Sequence, residues 1–252
     1  MLKVRVMPTL LFKDLGLVKG IRFDSWRRVG SVMQAVKVYN LREVDELVFL
    51  DISATLEGRP PDYSLIDEIA DECFMPLTVG GGIQSVEHAR RLLEVGADKV
   101  SINSAAAEAP SIIRLLADEF GSQCVVVSID MKRDQGETYT VFTHSGTVAK
   151  GEDAVAYAKE VENLGAGEIL LTSIDRDGTM TGYDIEATRA VSEAVAIPVI
   201  ASGGAGSYED MVNVLVEGKA SAVAAGSIFH FTEQTPLEAK RFLRRHGITV
   251  RL

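Results

Sequence analysis

Near-continuous apolar runs of six or seven residues recur along the chain. They are VRVMPTL, ELVFLDI, MPLTVG, DKVSIN, CVVVSID, EILLTSI, PVIASG and SAVAAG. Runs without polar alternation belong to strands covered on both faces, as in a parallel sheet. Most are followed by segments whose apolar residues return every three or four positions, the period of a helix with one buried face. These segments are VMQAVKVYN, LIDEIADEC, VEHARRLLEVG, IIRLLADEFG, AVAYAKEVENLG, IEATRAVSEAV, YEDMVNVLVEG and LEAKRFLRRHG, and several end in glycine, as helix C-termini prefer. Eight strand–helix units in 252 residues predict an α/β fold, a (β/α)8 TIM barrel forming one domain over residues 1–252. A doubly wound open sheet is the alternative, but it gives no reason for the repeat described next.

Two stretches resemble each other at an offset of nearly half the chain. PLTVGGGIQSVEHARRLLEVGADKVSINS runs from Pro76 to Ser104, and PVIASGGAGSYEDMVNVLVEGKASAVAAGS from Pro198 to Ser227. Each reads as strand, glycine turn, helix, strand and small-residue turn, so the barrel is expected to consist of two similar halves. Gly80, Gly81 and Gly82 precede one helix, and Gly203 and Gly204 the other. Glycine lets backbone approach an oxyanion closely, and helix-start N–H groups favour negative charge. Tight strand–helix turns would use the same residues without any ligand. Two matched copies, each followed by a small-residue turn (Asn103–Ser104 and Gly226–Ser227), favour a substrate with phosphate at both ends, or a nucleotide sugar.

Two insertions interrupt the alternation. Residues Asp14 to Val29 lengthen the connection after the first strand, and Gly16, Lys19 and Gly20 suggest a mobile loop. Lys132 to Gly146 contains alternating residues and predicts a hairpin after the fifth strand. Loops after barrel strands lie on the catalytic face, where a lid or clamp belongs.

Composition narrows the function classes. A net charge of −10 argues against nonspecific nucleic-acid binding, while local backbone amides can still bind phosphate. Cys73 and Cys124 form no CxxC pair, so a disulfide framework or zinc site is not expected, and a reducing cytoplasm fits. The N-terminal MLKVRVMPTLLFKD is short and charged and reads as a strand rather than a signal peptide. No run approaches the roughly 20 apolar residues of a membrane span. No cofactor or metal is expected.

Carboxylates supply the candidate chemistry. Asp51, Asp130 and Asp177 lie at or just beyond predicted strand ends. Asp130 closes the run CVVVSID, where it would face the barrel mouth as a general acid or base. Asp51 reads equally as functional or structural, and Asp177, in DRDGT, as a cap or a ligand contact. The half-chain repeat locates the partner of Asp130 near position 11, which is Leu11 and cannot exchange protons. Arg5, Glu46, Lys99 and Glu168 start four predicted strands and could form a ring of alternating sign at the N-terminal mouth; ordinary solvated charge is the competing reading. His88, His144, His230 and His246 show no ligand spacing. His88 and His246 are expected on the surface and His144 in the hairpin, while Trp26 is read as packing.

From end to end the chain resembles the cyclase subunit of imidazole glycerol phosphate synthase, HisF. The motifs are DELVFLDI, PLTVGGGI, GADKVSIN, FGSQCVVVSID, GAGEILLTSIDRDGT, GYD, IPVIASGGAG and SIFHF. The resemblance implies a two-half barrel that receives ammonia from a glutaminase docked at its N-terminal face. Ammonia then crosses the core to a bis-phosphorylated substrate. It implies phosphate contacts at Gly81, Gly82, Asn103 and Ser104, and at Asp177, Gly178, Gly203, Gly204, Gly226 and Ser227. It further implies an ammonia gate of Arg5, Glu46, Lys99 and Glu168, a glutaminase contact at Asp98, and catalytic roles for Asp130 and Lys19, the latter in the mobile loop.

Where that family reads PCLDVKDGRVVKG, this chain reads PTLLFKDLGLVKG, with Thr9 and Leu11 replacing cysteine and the first catalytic aspartate. The family's GADELVFLD also becomes EVDELVFLD. Both departures resemble a HisF-like side branch in surface-polysaccharide gene sets, whose members work with a HisH-like glutaminase and a third protein to amidate a sugar. An authentic cyclase of histidine biosynthesis and a non-catalytic, glutaminase-activating barrel are the alternatives.

Overall fold

The computed structural model describes residues 3–134 and 138–252. Gln135, Gly136 and Glu137, which fall within the second predicted insertion, lie outside the described residues.

The chain begins with β1 (Arg5–Lys13), the hairpin β2 (Gly16–Ile21) and β3 (Asp24–Gly30), α1 (Val32–Leu41), β4 (Leu47–Asp51) and α2 (Tyr63–Glu72). Next come β5 (Leu77–Gly80), α3 (Val86–Glu94), β6 (Lys99–Ile102), α4 (Ser104–Glu108) and α5 (Ser111–Phe120). The second half holds β7 (Val125–Arg133), β8 (Tyr139–Thr143), β9 (Val148–Asp153), α6 (Ala154–Asn163), β10 (Glu168–Ser173) and α7 (Ile185–Ala194). It ends with β11 (Val199–Ser202), α8 (Tyr208–Val216), β12 (Ala222–Ala225), α9 (Ser227–Phe231) and α10 (Pro236–Arg245).

Eight of these strands pair in the order β10–β11–β12–β1–β4–β5–β6–β7, and β7 closes the ring onto β10. Every pairing in the ring is parallel. The expected (β/α)8 barrel is therefore observed, and each of the eight apolar runs supplies one barrel strand.

Side-chain alternation divides the apolar residues between two cores. Met7, Val48, Val126, Leu170, Ile200, Ala222 and Ala224 point inward and form a separate cluster inside the barrel. Their chain neighbours, among them Val6, Phe49, Val127, Leu171 and Val223, pack outward beneath the helices. Burying a large apolar side chain contributes roughly 1.5–3 kcal/mol, so this two-sided burial makes the strands the rigid frame for the loops at their ends.

The two halves repeat in detail. Leu11 lies opposite Leu50 in the β1–β4 ladder, and Asp130 opposite Thr172 in the β7–β10 ladder. Ser85 and Ser207 cap α3 and α8 with nearly the same backbone (φ −150°, ψ 162° and φ −141°, ψ 166°). Each serine hydroxyl accepts a backbone N–H from the helix's first turn, which satisfies a donor otherwise orphaned at a helix start. Asn103 and Gly226 precede α4 and α9 with matching φ, −126° and −120°.

Both insertions lie on the face at the strands' C-terminal ends. The first, expected as a mobile loop, is the antiparallel hairpin β2–β3, in which β2 also pairs with β1. Five of the six β2 residues are buried, and this burial defines the strand. The second insertion is formed by the extension of β7 beyond Asp130 and by β8, as the alternation predicted, with β9 added beyond it.

Candidate active site at the barrel mouth

The C-terminal ends of the strands surround one cleft. All ten predicted phosphate contacts line it: Gly81, Gly82, Asn103 and Ser104 from the first half, and Asp177, Gly178, Gly203, Gly204, Gly226 and Ser227 from the second. Leu11, Lys19, Asp51 and Asp130 line the same cleft.

The glycine turns are demanded by the backbone itself. Gly81 has φ 106° and Gly204 φ 113°, conformations that side chains disfavour. A Cβ at Gly81 would collide with the Asp51 carbonyl, and one at Gly204 with the Gly182 carbonyl. This requirement holds with or without a ligand. A second observation bears on the cleft's chemistry. Thr9, Ser101 and Ser227 line it, and their hydroxyl oxygens are buried without a hydrogen-bond partner among the described residues. Buried polar atoms are normally satisfied, so these three hydroxyls are candidate hydrogen-bond partners for a bound group.

Asp130 is buried within β7 rather than at its last residue, since the strand continues to Arg133. Its carboxyl is pushed up to about 7, first by burial and then by the like charge of Asp177; the Thr172 and Ser128 hydroxyls act in the opposite sense. Asn103 Nδ2 donates to Asp130 Oδ2 at 3.2 Å and to the Ser128 carbonyl at 3.0 Å. A carboxyl balanced near neutral pH can both give and take a proton.

Asp177 and Lys19 form the cleft's most enclosed ion pair. Lys19 Nζ donates to both Asp177 oxygens, at 2.8 and 2.7 Å. The Arg22 N–H donates to the Asp177 carbonyl at 2.8 Å and Arg22 Nε to the Asp175 carbonyl at 3.2 Å. The hairpin is thus fastened across the mouth to the turn after β10. Lys19, predicted within a mobile loop, is a buried residue of β2.

Asp51 is occupied by its own loop. It accepts from the Ser53 N–H (3.1 Å), the Ser53 hydroxyl (3.0 Å) and the Ala54 N–H (3.1 Å). Arg59 grips it in bidentate fashion at 2.7 and 3.0 Å. Of the two readings left open by the sequence, the geometry favours a structural anchor for the β4–α2 loop. Arg59 carried no sequence signal, because only the loop's path brings it to Asp51.

Opposite Asp130, Leu11 presents an apolar side chain that is 8% exposed. The mouth also includes Phe23, Trp26, Ser128, His144 and Thr172. His88, expected on the surface, reaches back to the first glycine turn, with Nδ1 3.2 Å from the Gly82 carbonyl.

At the other end of the barrel the four charges at the strand starts meet. Arg5 contacts Glu46 at 2.6 Å and Glu168 at 2.9 Å; Lys99 contacts Glu46 at 3.0 Å and Glu168 at 3.1 Å. They form a closed ring of alternating sign, and Thr78 donates to Glu46 at 2.6 Å. Asp98, exposed beside the ring, accepts from the Leu77 N–H at 2.8 Å. Phe74, whose N–H donates to Asn40 Oδ1 at 3.1 Å, and Leu41 are 86% and 85% exposed at the same end.

Fold and site define a (β/α)8-barrel protein of two similar halves, with a buried carboxyl balanced near neutrality at its mouth. The chain belongs to the family described as histidine biosynthesis protein, whose model matches residues 5–235. Members of this family of HisA- and HisF-type barrels are typically enzymes of histidine biosynthesis. Among the described residues no helix is long and apolar enough to cross a membrane.

Proposed function

We propose that the chain is the ammonia-using synthase subunit of a glutamine amidotransferase, of the HisF type, and that it delivers ammonia to a phosphorylated acceptor other than the family's cyclisation substrate. The acceptor class is a sugar or nucleotide sugar, with a third protein completing the amidation.

The observation that carries this reading is the contrast between Leu11 and Asp130 at equivalent register positions. Cyclisation in the HisF manner uses a carboxylate from each half. Here the register position matching Asp130 in the first half is apolar Leu11, and losing a general acid or base typically costs about 10²–10⁴-fold. Amidation of a carbonyl or activated carbon by ammonia requires protons to leave nitrogen and reach oxygen. A single carboxyl near pH 7 can relay them.

In this mechanism ammonia enters through the ring of Arg5, Glu46, Lys99 and Glu168 and crosses the apolar interior lined by Met7, Val48 and Val126. Matched glycine turns grip the acceptor's anionic ends, and the hairpin bearing Lys19 excludes water. Asp130 takes a proton from the attacking nitrogen. Exposed Phe74 and Leu41 beside Asp98 support a protein partner at the ring end, read as a HisH-like glutaminase.

The family's attachment to histidine biosynthesis favours a second reading, an authentic cyclase that tolerates Leu11. The test is product formation by the purified protein given ammonium salt and the bis-phosphorylated cyclase substrate. Little or no product is expected; strong turnover, or rescue of a histidine auxotroph, would establish the cyclase.

A further inference from the structure

His144 stands in the turn between β8 and β9, with its backbone in the left-handed region (φ 52°), and lines the mouth beside the first-half glycine turn. Its N–H donates to Ser104 Oγ at 3.0 Å, and Ser104 Oγ donates to Asn103 Oδ1 at 3.3 Å. Asn103 in turn reaches Asp130. A continuous hydrogen-bond chain therefore joins His144 to the first cradle and to the acid/base carboxyl.

The ring nitrogens have different partners. Nδ1 lies 3.0 Å from Thr143 Oγ1, and Nε2 lies 3.2 Å from Glu108 Oε1. A carboxylate only accepts, so the Glu108 oxygen beside Nε2 favours the tautomer with its proton there. Glu108 belongs to α4, the helix that begins at Ser104, and its side chain is 62% exposed. It is an exchangeable partner, unlike Asp177, which holds Lys19 in a buried pair on the second-half side. Ser101, whose hydroxyl oxygen is buried and unpartnered among the described residues, lines the same cleft.

We propose that His144 is the specificity-determining residue of the first cradle: its Nε2–H exchanges Glu108 for an oxygen of the acceptor's phosphoryl group. The proposal rests on the reading of the glycine turns as phosphate cradles. It adds that the two ends of the acceptor are held differently, by a histidine that changes partner at one end and by a fixed lysine–aspartate pair at the other.

The experiment is an NMR titration of the whole chain with inorganic phosphate. It follows the His144 ring proton at Cε1 together with the amides of Gly82, Ser104, Gly204 and Ser227. His246 is the internal control, since it stacks on Phe242 and bonds the Phe242 carbonyl. The His144 ring should move saturably, with the same affinity as the Gly82 and Ser104 amides, while His246 stays fixed. His144→Asn, which the left-handed backbone accommodates, should weaken phosphate at the first cradle by roughly tenfold, the equivalent of one charge-assisted hydrogen bond. Glu108→Gln should tighten it severalfold by removing the competing anion. If the Gly82 and Ser104 amides titrate while the His144 ring stays still and the Asn variant binds as wild type, this proposal falls and the cradles stand. If no cradle amide moves, the cradle reading falls and this proposal falls with it.

Discussion

The two halves of the barrel share a backbone and differ in what their acidic residues do. In the second half Asp130 is buried, lies among Asn103, Thr172 and Ser128, and is held near neutrality. In the first half the equivalent register position is Leu11, and the nearest acid, Asp51, spends its oxygens on Arg59, Ser53 and Ala54. One half keeps a carboxyl free to exchange protons, and the other uses its carboxylate to brace a loop. A duplicated frame can thus keep matched glycine turns while its mouth becomes one-sided, because the turns depend on backbone and the buried carboxyl on a single side chain.

Removing Asp130 should give the largest effect. Asp130→Asn is expected to lower ammonia-dependent turnover by about 10²–10⁴-fold. The same change should stabilise the protein. The folded state holds this proton up to about pH 7, whereas an unfolded aspartate releases it near pH 4. Asp130 therefore contributes most below about pH 4, and that contribution is lost as pH rises through 7. Relative to wild type, the Asn variant should gain on the order of 2–4 kcal/mol between pH 4 and pH 8 in urea unfolding. A pH-independent difference would contradict the assignment of a neutral, buried carboxyl.

The next largest effect compares the two braced carboxylates. Lys19→Met leaves Asp177 buried without its cation and should cost about 3–5 kcal/mol. Arg59→Met should cost less, roughly 1–2 kcal/mol, because the Arg59 side chain is 32% exposed and water can reach the gap. Equal losses in denaturant titrations would erase the distinction between a buried latch and a rim brace. Smaller still is the contrast within the charged ring. Glu46 serves Arg5, Lys99 and Thr78 and is 2% exposed, whereas Glu168 serves only the two cations and is 14% exposed. Glu46→Gln should therefore destabilise by about 1 kcal/mol more than Glu168→Gln.

Much of this was legible in the sequence because strands buried on both faces write continuous apolar runs. Eight such runs and the half-chain repeat led to the closed barrel, and the repeat located Leu11 opposite Asp130 before any distance was known. Short elements escaped: α4 and α9 have five residues each, too few for a helical period. The β2–β3 hairpin was read as a mobile loop because glycines stand among its apolar residues. Gly20 in fact lets the Trp26 side chain and the Asp24 carbonyl pack close against the strand. The charges at strand starts suggested a ring, but only three-dimensional closure turns four separate charges into two cations each shared by two carboxylates. Arg59 on Asp51 and Glu108 on His144 were invisible, since loop paths and not spacing bring them together.

Under the function proposed above, the first half lacks a proton-exchanging group at the position matching Asp130 while the rest of the site is intact. Ammonia-dependent turnover of the bis-phosphorylated cyclase substrate, measured for wild type and Leu11→Asp side by side, tests it most directly. Wild type is expected to give little or no product, and the Asp variant a clear gain. Strong turnover by wild type, with no gain on restoring the carboxylate, would contradict it.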